Sequence, residues 1–272
     1  MLHLKYHSTT TVPVEAECIT PDLLMGKSLA EIVALPVQHG NAPGPLGDFF
    51  TVSGDSADGE IQIEGECSRV KLVGAEMTRG RITIAGNIGM HLGAEMRGGS
   101  IRVHGNAGDW VGAEMRGGLI HVHGDAGHLI GAGYRGSHIG MRGGTILIEG
   151  KAGNEIGSGM RRGLIAIGGD SGDFAGSGMI AGTIFLFGQP GIRLGAGMKR
   201  GTLAVFRGQP QLLPTFRYDC VYRPVFMNLY LRQLRAWGFP IAEEYTHSAY
   251  RRYSGDLVAL GKGEVLYWDG AR

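Results

Sequence analysis

The stretch Ile82-Thr83-Ile84-Ala85-Gly86-Asn87-Ile88-Gly89-Met90-His91-Leu92-Gly93-Ala94-Glu95-Met96 returns 19 residues later as Ile101-Arg102-Val103-His104-Gly105-Asn106-Ala107-Gly108-Asp109-Trp110-Val111-Gly112-Ala113-Glu114-Met115. Two features survive the substitutions: an apolar pair two residues apart, and the spacing Gly-x-x-Gly-x-x-x-Gly. The glycine spacing recurs at Gly124/Gly127/Gly131, Gly150/Gly153/Gly157, Gly169/Gly172/Gly176 and Gly188/Gly191/Gly195. The apolar pairs extend further, from Ile61/Ile63 to Leu203/Val205, in steps of 21, 19, 19, 26, 19, 19 and 19 residues. Methionine follows the last glycine at Met96, Met115, Met160, Met179 and Met198, and Met77 holds that place in a degenerate first copy. Tyr134 replaces it once, where a seven-residue insertion repeats the corner as Met141-Arg142-Gly143-Gly144. Packing at the corners is the reading of this methionine column.

A 19-residue unit with one short alternating strand is too small to fold alone, and stacking buries what one copy cannot. The expected fold is therefore all-β: a single-stranded β-solenoid (parallel β-helix) of about seven to eight 19-residue coils, with strands about 4.8 Å apart. Propeller blades and helical repeats need longer periods. The chain has 49 glycines in 272 residues, without the Gly-X-Y run of collagen and with 43% apolar residues. Those glycines belong to corners, where backbones turn or approach closely.

Residues 1–53 are expected to form an N-terminal α/β cap, 54–208 the repeat domain and 209–272 a C-terminal cap of helix and strands. Leu2-Leu4-Tyr6 alternates as a strand, Thr20-Pro21-Asp22 opens a short helix, Leu35 to Pro45 reads as an extended loop, and Phe50 to Gly54 reads as an incomplete opening coil. Pro224 to Trp237 carries Val225, Phe226, Leu229, Tyr230, Leu234 and Trp237 at helical spacing and stops at Gly238. A strand pair surrounds Gly255-Asp256 and Gly261-Lys262-Gly263.

Formal charge is +1, which excludes a global field for nucleic acid. Cys18, Cys67 and Cys220 lie far apart, with no CxxC pair for zinc or iron–sulfur clusters. No apolar leader or 18-residue apolar run occurs, so a soluble cytoplasmic protein without a membrane partner is expected.

Three outward columns could carry chemistry. The residue before the strand glycine gives His104, His123 and Glu149 on consecutive copies, a donor set for a divalent metal. Strand spacing is wide for chelation, so an exposed polar row is the plainer reading and no metal is assigned. At the corner, Glu76, Glu95 and Glu114 accompany Arg97 and Arg116, whereas later copies keep Arg135, Arg142, Arg161, Arg162, Lys199 and Arg200 without the glutamates. That cationic edge suits an acidic protein surface or a polycarboxylate chain. Between the inward residues lie Gln62, Thr83, Arg102, His121, Leu147, Ala166, Phe185 and Ala204, whose apolar end needs a cover from the 209–272 tail or another polypeptide. No nucleophile elbow, Walker loop or paired catalytic carboxylate appears.

The repeat resembles the C-terminal domain of the glutamate synthase large subunit. With its flanks the chain is more similar to the C-type subunit of formylmethanofuran dehydrogenase and of the related bacterial formyltransferase/hydrolase complex. Those flanks are Leu35-Pro36-Val37 through Leu46-Gly47-Asp48-Phe49-Phe50-Thr51-Val52-Ser53-Gly54, Pro224-Val225-Phe226 with its helix, and Tyr253-Ser254-Gly255-Asp256 with Gly261-Lys262-Gly263-Glu264. At 272 residues the chain is too short for a glutamate synthase. The resemblance implies a non-catalytic structural subunit working with A-, B- and D-type subunits. Formyl passes from tetrahydromethanopterin to a methanofuran-type carrier and is hydrolysed to formate, in formaldehyde oxidation. It implies a metal in the A-type subunit, no cofactor and no catalytic residue on this chain, and a carrier at an interface within the complex. The alternatives are the C-type subunit of an archaeal-type tungsten or molybdenum formylmethanofuran dehydrogenase, and a solenoid with its own ligand or metal site. The lack of ferredoxin-type cysteines leans towards the hydrolase.

Overall fold

Each apolar pair folds as a short strand, and each strand pairs in parallel with its copy in the next repeat. The computed structural model describes residues 1–268 and 270. Ile82 faces Ile101, Ile101 faces Ile120 and Ile120 faces Ile146. The register then runs on through Ile165, Ile184 and Leu203 to Val265. The strands belong to one 13-stranded sheet, parallel from Leu2–Tyr6 through Arg200–Val205 to Lys262–Tyr267 and antiparallel at both ends. A second column pairs Cys67, Ile88, Ala107, Ala126, Ala152 and Ser171 through isolated parallel bridges. Both columns and the methionines line one interior: Ile82, Ile101, Ile120, Met77, Met96 and Met115 are all buried. β-Branched side chains suit such stacks. Met141, on the insertion, is buried with them and restores the column that Tyr134 leaves.

Two local devices hold the corners. A Cβ on Gly118, whose φ is +90°, would lie 2.7 Å from Cε of Met96 and 2.8 Å from the Gly99 carbonyl, so glycine is required there. Between the glycines, polar side chains accept from the next backbone up: Asn87 Oδ1 from Asn106 N–H, Asn106 Oδ1 from Asp125 N–H, and Asp109 Oδ1 from His128 N–H, at 2.8, 2.8 and 2.7 Å. These bonds satisfy backbone donors that the short strands leave open.

The flanks differ from the sequence reading in four places. Leu35 to Pro45 is not a loop but a hairpin: Pro36–His39 pairs antiparallel with Ala42–Pro45. Its prolines hide the strand signal, yet Pro43 and Pro45 lie on the edge strand and Pro36 opens its strand, both places that accept proline. Phe50–Gly54 is not an opening coil. It runs antiparallel to Leu2–Tyr6, and that N-terminal strand is the one pairing in parallel with Glu60–Glu64. A helix Leu29–Val33, opened by a Ser28/Glu31 capping box, follows the expected one at Pro21–Leu24. At the other end, Arg217–Tyr222 adds a strand beside the expected pair Tyr250–Gly255 and Lys262–Tyr267.

The helix Val225–Ala236 buries Met227, Leu231 and Leu234, and leaves Val225 76% and Leu229 74% exposed. Two apolar stripes share this helix, and only packing chose between them. The buried stripe covers Leu147, Ala166, Phe185, Ala204 and Leu266, so the chain's own tail covers the apolar end of the outward column. Among the described residues, no helix is long and apolar enough to cross a membrane.

Candidate functional site

The outward face of the large sheet divides in two. Its later strands lie under the helix, while the earlier ones present half-buried Thr83 and exposed Arg102 and His104 and end at His121, His123 and Glu149. His121 and His123 share a face because strand side chains alternate. The pairing of Val122 with Ile148 sets Glu149 beside His123. Nε2 of His121 and Nδ1 of His123 each lie 2.8 Å from Oε1 of Glu149. A carboxylate only accepts, so both rings donate to one oxygen. Only 3% of the His121 side chain is exposed. Burial holds its pKa below the ordinary 6.5, against the opposing hydrogen bond to Glu149, so the neutral ring is favoured. Nδ1 of His121 is buried and has no hydrogen-bond partner among the described residues.

The structure thus joins His123 and Glu149, as the row of donors suggested, but their third member is His121. His104 instead stacks on His123 at 5.2 Å, with the rings 5° from parallel. His121 is legible in the sequence as an outward residue. The signal that singles it out is the His-x-His alternation combined with the register that brings up Glu149. A cavity of about 340 Å³ adjoins it, lined by Arg81, Thr83, Ser100, Arg102 and His104 among others.

At the corner, Arg97 pairs with Glu76 at 2.8 Å and Arg116 with Glu95 at 2.9 Å, each reaching back one repeat. Glu114 instead accepts from the Tyr134 N–H, 3.1 Å away. Arg135, Arg142, Arg161, Arg162, Lys199 and Arg200 are all exposed. Arg142 faces Arg162, and Arg200 faces Lys262, across adjacent strands. Such neighbours repel by roughly 1 kcal/mol in water. Arg161 and Arg162 also line a cavity of about 480 Å³ with Tyr230, Gln233 and Trp237 of the C-terminal helix region.

The insertion does further work. Tyr134 stacks on Trp110 at 5.1 Å, and its hydroxyl lies 3.1 Å from Nδ1 of His91. Burial pushes the Tyr134 hydroxyl up to about 12, with Glu95 and Glu114 adding to it. The three cysteines are unpaired. Burial pushes Cys18 up to about 11 and Cys67 up to about 12, so neither supplies a thiolate at neutral pH.

These features define a glycine-repeat β protein with a His–Glu–His cluster and a cationic edge that has no ion pair among the described residues. No family model matches the chain. Along 98% of its length it is similar to a chain of the formyltransferase/hydrolase complex from Methylorubrum extorquens, solved in complex with methylofuran. The likeness covers all of that chain, with 36% identity and a TM-score of 0.88. It is 45% identical over 85 residues to the C-type subunit of the tungsten-containing formylmethanofuran dehydrogenase 2 of Methanothermobacter wolfeii, 30% of this chain and 32% of that one. It is 46% identical over 82 residues to the C-type subunit of the molybdenum-containing formylmethanofuran dehydrogenase 1 of Methanothermobacter marburgensis, 30% of this chain and 20% of that one. The match thus spans a third or less of the length of these curated relatives. The chain belongs to the family formed by the C-type subunits of formylmethanofuran dehydrogenase and their relatives.

Proposed function

We propose that the chain is a non-catalytic structural subunit of a heteromeric formyltransferase/hydrolase complex. In that reading the complex moves a formyl group from tetrahydromethanopterin to a methanofuran-type carrier and hydrolyses it to formate. The observation that carries the reading is the whole-chain likeness to a chain of the Methylorubrum extorquens complex; the methanogen proteins match over much less. Residues 54–208 then act as a solenoid of about seven to eight coils, with 1–53 and 209–272 as caps. The in-register apolar columns support this, because they give a rigid rod whose faces are free to meet partners.

The cationic edge from Arg135 to Arg200 is assigned to an acidic partner surface or a polycarboxylate chain. Its support is that the later cations lack the glutamates that pair Arg97 and Arg116. Copurification with A-, B- and D-type subunits from a co-expression strain tests the assembly. Replacing Arg142, Arg161 and Arg162 together by Ala is expected to weaken it; unchanged assembly and carrier retention would remove the edge from the reading. Expressed alone, the chain is expected to release no formate from a formylated carrier, and turnover without partners would overturn the structural role. A molybdopterin in a copurifying partner would favour the dehydrogenase version.

A further inference from the structure

We infer that His121, His123 and Glu149 form a binding site for one divalent first-row transition-metal ion, of the zinc or cobalt class. The donor atoms lie within 4.8 Å of one another, and two imidazoles with one carboxylate are a common set for such ions. Ligands at zinc bond lengths of about 2.0–2.2 Å sit roughly 3 Å apart. The 2.8 Å separations of both nitrogens from Oε1 of Glu149 are already close to that. Small side-chain rotations then seat an ion where the two N–H bonds now point. Each ring stays neutral and keeps one proton, moved to its other nitrogen.

The surroundings also suit an ion. Leu147, on the strand opposite His121, belongs to the apolar cluster under the C-terminal helix, and Leu119 packs against that cluster. The donors therefore sit where the dry half of the sheet meets the wet half, which limits competing water. Three protein ligands leave a coordination position for a water or a small anion. The adjoining cavity, with Arg81 and Arg102, favours an anion such as a carboxylate.

Cobalt(II) titration of the purified full chain, followed by visible absorption and equilibrium dialysis, tests the site. One saturable ion per chain is expected, displaced by zinc. Affinity should fall by more than roughly 100-fold in His123→Gln and Glu149→Gln, beyond what an outer-sphere change produces, and stay within a few-fold in His138→Gln, at an exposed position on the insertion. Zinc-induced shifts of the His121 and His123 ring nitrogens in ¹⁵N NMR give a second readout on the unmodified protein, independent of whether the variants fold. Failure of the unmodified chain to bind saturably, or binding that persists in Glu149→Gln, would overturn the assignment. Either failure leaves the structural role untouched, since that reading stands on assembly.

Discussion

The two halves of the outward sheet face share one backbone and diverge in everything else. From Thr83 to His104 the face is polar and at least partly open, with the His121–Glu149–His123 cluster at its boundary. From Leu147 to Leu266 the same positions are apolar and lie under the helix Val225–Ala236. The interior columns beneath run unchanged through both halves. A repeat fold thus separates two tasks. The inward residues and corner glycines specify the stacked parallel sheet, and the outward residues vary freely, one half lying under the chain's own C-terminal helix and the other open.

The largest effect should come from emptying the covered half. Phe185 is fully buried against Phe187, Phe206 and Tyr230, and Phe185→Ala is expected to cost about 3–5 kcal/mol in denaturant unfolding. The open half predicts a contrast: Thr83→Ala should be nearly silent, and an equal loss there would break the comparison. Next come the corners. Gly118→Ala meets both a positive φ and the Met96 methyl, for about 1–3 kcal/mol. Gly178→Ala has nothing within 4 Å at φ +60° and should sit at the low end of the αL penalty of about 1–2 kcal/mol. Glu95 already occupies the same corner position at φ 53°.

Removing one rung of the polar ladder, Asn106→Ala, should cost about 1 kcal/mol, read as local amide exchange at Asp125. A pH effect follows from His91. Burial holds its pKa below 6.5, helped by Lys71 and opposed by Glu15 and Asp109. Neutral His91 therefore contributes its full stability above pH 6.5, and that contribution is lost as pH falls through the lower folded value. Trp110 stacks on His91 at 6.0 Å, so Trp110 fluorescence should change only on acidification, and the change should vanish in His91→Gln. Smallest of all, Glu95→Gln breaks an exposed pair with Arg116 and should move stability by roughly 0.2–1 kcal/mol, less in high salt.

Much of the parallel sheet was legible because period, strand pair and glycine spacing are all short-range. The register of Ile82, Ile101 and Ile120 follows from the 19-residue step alone, as does the burial of Met96 and Met115. The hairpin at Pro36–His39 and Ala42–Pro45 was hidden because prolines mask its strand signal and the strand it docks beside, Val14–Glu15, lies outside any local window. The candidate site was half legible. His123 and Glu149 stand out as neighbours in one column, whereas His121 belongs to another, and the convergence of the two rings on one Glu149 oxygen depends on rotamers.

By itself, then, the sequence determined the repeating unit, its period, the inward columns and the places where only glycine fits. Those properties are set by steric rules that act within about 20 residues of chain. The tertiary structure decided which stripe of the C-terminal helix meets the sheet, which strand opens the parallel ladder and which histidine joins Glu149. Each of those choices is a competition between alternatives that local rules score equally, and it is settled only when distant segments exclude water from the same surface.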